Sequence, residues 1–129
     1  GANVAVYALT GRTSEILDEG VRKIDAVYQR MADIGTSDHS MVFNTDLIET
    51  LELDNMIGQA VLTMHMARNR HESRGAHMHE DFPNRDDDQW MVHSLGWFRD
   101  GAVELAKRPV HTYTLTEEID YIKPKARTY

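Results

Sequence analysis

Between Ser14 and Ala32 the apolar residues Ile16, Leu17, Val21, Ile24, Val27, Tyr28 and Met31 recur at spacings of three and four, the period of one helix face. Thr13 or Ser14 can accept the first free amide hydrogens, with Asp18 and Glu19 toward the positive end of the helix dipole. Gly35 and the polar run Thr36-Ser37-Asp38 read as the exit and a loop. A second helix is predicted from a cap at Asn44 or Thr45 to about Asn69. No proline interrupts it, and Leu47, Ile48, Leu51, Ile57, Val61, Leu62, Met64 and His65 carry the period. Leu53, Met56, Ala60 and Ala67 widen that stripe beyond what one packing partner would cover, which predicts a central helix. Asp54 and Asn55 interrupt it and call for a polar seam, or for contact with a neighbouring domain.

From Arg70 to Arg85 the chain is dense in charge and histidine, and Gly75 and Pro83 argue against a continuous helix. This stretch reads as an ordered loop or a docking surface. Asp86 or Asp87 can cap a short helix holding Trp90, Met91 and His93-Ser94-Leu95, since carboxylates suit a helix start. Trp97-Phe98-Arg99 and Val103-Glu104-Leu105 flank Asp100-Gly101, a dipeptide favoured where a two-residue hairpin turn needs positive φ. From Arg108 to Tyr129, Pro109 and Pro124 favour extended chain lying along a surface. The predicted fold class is mainly α: an antiparallel helical bundle, then a short helix, a small β-hairpin and an extended carboxy-terminal tail. One domain covers 1–129, with the helical portion at 3–95 and the hairpin and tail at 96–129.

Composition narrows the options. A chain of 129 residues has room for one core, and 41% hydrophobic residues is near the globular average. With no cysteine, disulfides and thiolate-held zinc or iron–sulfur clusters are excluded. No apolar run approaches the roughly 18 residues a membrane helix needs, so the piece is expected to be soluble. A net charge of −7 argues against nucleic acid as a partner, because phosphate binding needs a basic surface.

Candidate chemistry is sparse. His71, His77 and His79, with Glu72, Glu80 and Asp81 nearby, form a conceivable metal cluster. However, His77 and His79 point to opposite sides of an extended segment. Ser73 and Ser94 have histidines close in sequence but no nucleophile-elbow context. Asp86, Asp87 and Asp88 are explained by helix capping at lower cost than by acid–base work. Arg74 has the better functional case. Beside Gly75, which permits close approach, its guanidinium can make a planar two-pronged bond to a carboxylate or to backbone carbonyls. Glu72, Arg74, Gly75, His77 and Arg85 are therefore candidates for an interdomain polar contact, and no catalytic, cofactor-binding or metal-ligating residue is assigned.

Glu72-Ser73-Arg74-Gly75-Ala76-His77, Asp81-Phe82-Pro83 and the cluster from Arg85 to Asp88 resemble the carboxy-terminal domain of the succinate dehydrogenase and fumarate reductase flavoprotein family. The likeness extends to Phe43-Asn44-Thr45-Asp46-Leu47, Leu51-Glu52-Leu53-Asp54-Asn55, Trp90 to Leu95, Arg108-Pro109-Val110-His111 and Pro124 to Tyr129. The resemblance implies a three-helix, spectrin-repeat-like bundle whose first helix is truncated here, ending near Val4 to Tyr7. It also implies a structural piece of a subunit that carries FAD, oxidises succinate to fumarate and passes electrons to an iron–sulfur subunit and quinone. No Gly-x-Gly-x-x-Gly opens a helix in this chain, so FAD belongs to the parent subunit and this piece is expected to be inactive alone. Implied partners are the flavin-binding domain and the iron–sulfur subunit, at the cytoplasmic face of a bacterial inner membrane or on the matrix side in mitochondria. Self-association of the isolated piece is expected. The alternative is a helical interaction domain of a related flavoprotein: a fumarate reductase, an aspartate oxidase or a sulfur-metabolism reductase.

Overall fold

The computed structural model describes residues 12–36 and 39–125. The truncated helix expected near Val4 to Tyr7, part of the loop after Gly35, and the closing residues from Ala126 lie outside that range. Helix α1 runs Ser14–Arg30, capped by the Thr13 hydroxyl accepting from the Ile16 amide, and passes into a 3₁₀ turn, Met31–Asp33. Helix α2 runs Thr45–Asn69, with the Asn44 side chain accepting from the Leu47 amide at 2.8 Å. Each cap is one of the two alternatives the sequence leaves open, Thr13 over Ser14 and Asn44 over Thr45, and each supplies a short side-chain oxygen to an otherwise unbonded amide.

The two helices run in opposite directions. Asp18 and Asp25 of α1 pair with Arg68 and His65 of α2, so partner numbers fall as α1 advances. Between them lies one apolar seam: Leu17, Val21 and Ile24 against Ile57, Val61 and Met64. The seam uses only the second half of α2. Its first half leaves Leu47, Ile48, Leu51, Leu53 and Met56 exposed, along with Asp54 and Asn55. The preceding loop holds out Met41 at 97% and Phe43 at 94% exposure.

The short helix is a single turn, α3, Asp87–Trp90. His93-Ser94-Leu95, expected in that helix, are instead in strand β1, Val92–Arg99, paired antiparallel with β2, Ala102–Pro109. Asp86 caps this turn, its side chain accepting from the Asp88 and Gln89 amides at 3.0 Å. The residues from Val92 onward then find ladder partners at 102–109, and pairing outweighs a weak local helical preference. Arg108 and Pro109, expected in the tail, thus belong to the hairpin, facing His93 and Val92. The turn is the predicted one: Asp100 and Gly101 have φ of 50° and 77°, the two positive values a type I′ hairpin requires.

The hairpin lies on α2 at Gly96. A Cβ there would meet Leu62 Cδ2 and Met66 Cε at 3.2 Å, so glycine permits the close approach. Phe98 meets Tyr28 of α1 edge-on, centroids 4.5 Å apart, a favoured aromatic geometry. From His111 to Lys125 the tail forms no helix or strand and leaves Leu115 and Ile122 exposed.

Candidate functional site

The loop from Arg70 to Arg85 folds around one carboxylate. Glu72 is completely buried, and every bond to it is charge-assisted. Arg74 reaches it with two prongs, Nε to Oε1 at 2.8 Å and Nη2 to Oε2 at 3.0 Å. Arg70 donates to Oε1, and the Asp86 amide donates to Oε2 at 3.0 Å. Burial alone would raise the Glu72 pKa. The bonds from Arg74, the Asp86 amide and Arg70 outweigh it and hold the carboxyl below its usual range.

The two arginines extend the cluster outward. Arg70 Nη2 donates to the Val92 carbonyl at 2.6 Å and to Ser94 Oγ at 3.1 Å, and Nη1 donates to the Trp90 carbonyl at 3.1 Å. It thereby fixes where α3 ends and β1 begins. Arg74 Nη2 donates to Asp87 Oδ1 at 2.7 Å. Arg85 donates to Asp87 Oδ2 at 2.9 Å and to the Pro124 carbonyl at 3.2 Å, pinning the tail. Asp87 is therefore an ion-pair partner as well as a helix-start residue. The hydrogen bond from Arg74, with that from Arg85, holds its carboxyl low against desolvation, which acts to raise it.

Gly75 sits at φ 59° in a two-residue turn closed by Arg74 and His77, whose amides and carbonyls bond reciprocally at 2.8 and 3.0 Å. A glycine at the first central position matches a II′ turn. The turn presents His77 to the start of α1. Arg12 Nη1 lies 2.8 Å from His77 Nδ1, and His77 Nε2 lies 3.1 Å from the Arg70 carbonyl. A guanidinium can only donate, so Nδ1 accepts and the proton sits on Nε2 of a neutral ring. The Glu80 amide donates to the Arg12 carbonyl at 2.8 Å, and Asp81 accepts from the Ser14 amide at 2.7 Å. The loop thus clasps residues 12–14, where the chain enters α1.

All five predicted residues, Glu72, Arg74, Gly75, His77 and Arg85, fall in this one network. The sequence reading passed over Arg70 and Arg12, and weighed Ser73 only as a nucleophile. Ser73 Oγ accepts from the His79 amide at 2.8 Å and reaches the Phe82 carbonyl at 2.9 Å. The available signal was the alternation Arg70-x-Glu72-x-Arg74, which in extended chain puts three side chains on one face.

The chemistry that this arrangement supports is structural. Ser73 Oγ is engaged with backbone groups and Ser94 Oγ with Arg70, so neither is presented to an imidazole. Both His77 ring nitrogens are engaged, and among the described residues no group of three or more His, Cys, Asp or Glu side chains could hold a metal ion. His79 is 1% exposed, packed on Phe82, and neither ring nitrogen has a partner among the described residues. Such a group costs stability.

Acid should therefore loosen the loop in two stages. Burial is the main cause lowering the pKa of both His77 and His79 below 6.5. Below pH 6.5 the unfolded chain takes up protons before the folded one, so stability falls as pH drops toward the depressed folded values. Glu72, lowered from 4.5, adds a second loss once pH falls below that value. Urea midpoints measured from pH 7.5 to 3.5 should decline in this order. Midpoints that rise between pH 7 and 5.5 would contradict the neutral, buried imidazoles.

Comparison with known proteins follows the same outline. Residues 2–129 match the family described as the carboxy-terminal region of the fumarate reductase flavoprotein. The mitochondrial succinate dehydrogenase [ubiquinone] flavoprotein subunit of rice is 50% identical over 127 residues, covering 98% of this chain and 20% of that protein. The succinate dehydrogenase flavoprotein subunit of Rickettsia bellii is 44% identical over 124 residues, covering 95% and 21%. A quinol fumarate reductase chain of E. coli superposes with a TM-score of 0.77 at 35% identity, covering 81% of this chain and 18% of its own. The chain thus spans about a fifth of the curated relatives it matches.

Proposed function

Because the chain belongs to the family of fumarate reductase flavoprotein carboxy-terminal regions, we propose that it is the carboxy-terminal helical domain of the FAD-containing subunit of a succinate dehydrogenase. The observation that carries this reading is 50% identity to a succinate dehydrogenase flavoprotein subunit across 98% of the chain. In this reading the complete subunit oxidises succinate to fumarate on FAD and hands electrons to an iron–sulfur subunit and quinone, at the cytoplasmic face of a bacterial membrane or the mitochondrial matrix face. Among the described residues no helix is long and apolar enough to cross a membrane, which fits a peripheral subunit. Fumarate reduction is the second reading, favoured by the fold match to the E. coli enzyme. Identity is lower there, at 35%.

The domain's own part is structural. The α1–α2 pair supplies two antiparallel helices of the family's helical bundle. Glu72, Arg74, Gly75, His77 and Arg85 form the polar junction with the flavin-binding domain. Glu72 acts from inside by aiming the two arginines, and the clasp on residues 12–14 fixes the direction in which the preceding polypeptide leaves. The network joins loop, tail and helix start at one place, which supports this assignment.

Two experiments test it. The isolated 129-residue chain should be colourless and should not turn over succinate with an artificial acceptor, whereas the complete natural chain should hold flavin and do so. Flavin retained by the short chain through purification would relocate the site. In addition, the isolated chain should self-associate, because Leu47, Ile48, Leu51 and Met56 together with Met41 and Phe43 leave apolar surface in water. Covering each large side chain is worth roughly 1.5–3 kcal/mol. A two-fold dimer is the simplest closed solution. Sedimentation at micromolar concentration showing a clean monomer without binding of a hydrophobic dye would argue that this face is already covered.

A further inference from the structure

A cleft of about 580 Å³ opens between the start of α1, the last turn of α2 and the first residues of β1. Its walls present Arg12, Arg70, Arg74 and His77 over an apolar floor that includes Met66 and Val92, and among the described residues they contain no Asp or Glu. Arg70 and Arg74 are already committed to Glu72, which lies behind the wall. Arg12 differs: its described side-chain partner is the neutral His77 ring, and burial alone shifts its pKa, downward. A half-buried guanidinium without a carboxylate among the described residues is an electrostatic cost that an arriving anion would relieve.

We propose that this cleft receives one carboxylate, on an aspartate or glutamate side chain of the polypeptide that precedes this domain in the complete subunit, seated on Arg12. The inference rests on reading the chain as a carboxy-terminal domain. The chemistry selects a carboxylate. With Nη1 on His77, the Nε and Nη2 edge of Arg12 offers a planar fork matched to two oxygens. The apolar floor suits the methylene stem of an acidic side chain, whereas a phosphate dianion would need a second uncommitted cation. The source is set by where the chain lies. The chain covers 20% of a relative, the matched family is the carboxy-terminal region, and Arg12 stands where the preceding sequence arrives.

The test uses the complete flavoprotein subunit carrying Arg12→Lys, treated with a water-soluble carbodiimide. The reagent activates a carboxyl in contact, the introduced amine attacks it, an amide forms and the urea leaves. Mass spectrometry should find position 12 joined to an Asp or Glu upstream of residue 1, with no such product from Arg12→Gln. Arg12→Gln should also melt lower than the wild type, with the gap shrinking at high salt. Cross-links confined to acids within residues 12–125 would overturn the proposal, as would their absence together with wild-type melting of Arg12→Gln. Added acetate that raises the melting point of the wild type but not of Arg12→Gln would identify a free acid as occupant and also overturn it. A subunit that binds flavin and turns over succinate yet shows no cross-link sinks the cleft assignment alone. One lacking both activities sinks the family reading beneath it.

Discussion

Glu72→Ala should cost about 3–5 kcal/mol of unfolding free energy, the scale for removing one partner of a buried ion pair. Substitution removes the acceptor for Arg70, for both prongs of Arg74 and for the Asp86 amide, and leaves two guanidiniums facing each other across a void. Their repulsion would not stay local. Arg70 also holds the Trp90 and Val92 carbonyls, and Arg74 holds Asp87, so the short helix, the start of the hairpin and the tail contact at Arg85 should loosen together. Glu72→Gln separates charge from shape. It keeps volume and one acceptor oxygen but loses the negative charge, and should recover only part of the loss. Amide exchange should show lost protection at Val92 to Ser94 before the α1–α2 seam opens. A Glu72→Ala variant as stable as wild type, with unchanged protection there, would show that the buried network contributes nothing net.

Glu72 also shows where sequence reading reaches its limit. A glutamate between two arginines is by default a solvated residue, and nothing local says that the chain will close over it. Closure depends on Asp86 and Arg74 arriving from either side of a loop whose geometry is set by Gly75 and by the Ser73 bonds. The helix starts at Thr13 and Asn44 and the turn at Asp100-Gly101 were legible because each is decided by a few neighbouring atoms. The strand at His93 to Leu95 was not, because its partners Ala106 to Arg108 lie beyond the turn. A short run containing Trp, Met and Leu fits either period. The same holds for α2: its widened apolar stripe announced two packing faces, and the seam with α1 satisfies one of them. The five candidate residues share one network because arginine beside glycine, with carboxylates nearby, has a chemical rationale that the sequence displays. Arg12 was missed because its side-chain partner is an imidazole far along the chain, and Arg70 because its place beside Glu72 shows only in the alternation Arg70-x-Glu72-x-Arg74, whose shared face depends on the segment being extended.

Arg74→Ala in the complete subunit should weaken packing and assembly far more than dicarboxylate affinity. The wild-type side chain makes charge-assisted bonds to the buried Glu72, a class of bond worth roughly 1.5–3 kcal/mol, and a further, solvent-screened one to Asp87. The loss should nevertheless be smaller than for Glu72→Ala, because Arg70 and the Asp86 amide still neutralise the carboxylate. A group about a quarter exposed also recovers some solvation. Arg74→Lys discriminates further. It keeps the charge but not the two-pronged geometry, so a fixed planar contact predicts only partial rescue, whereas a simple need for positive charge predicts nearly full rescue. Thermal midpoint, the fraction of assembled complex, and KM with kcat for succinate should be read from the same preparations. Lower midpoint and assembly with little change in KM support a junction role. Normal assembly with a large selective rise in KM would instead move Arg74 to the substrate site, and the clasp on Arg12 would then be acting through the loop on the catalytic half of the subunit.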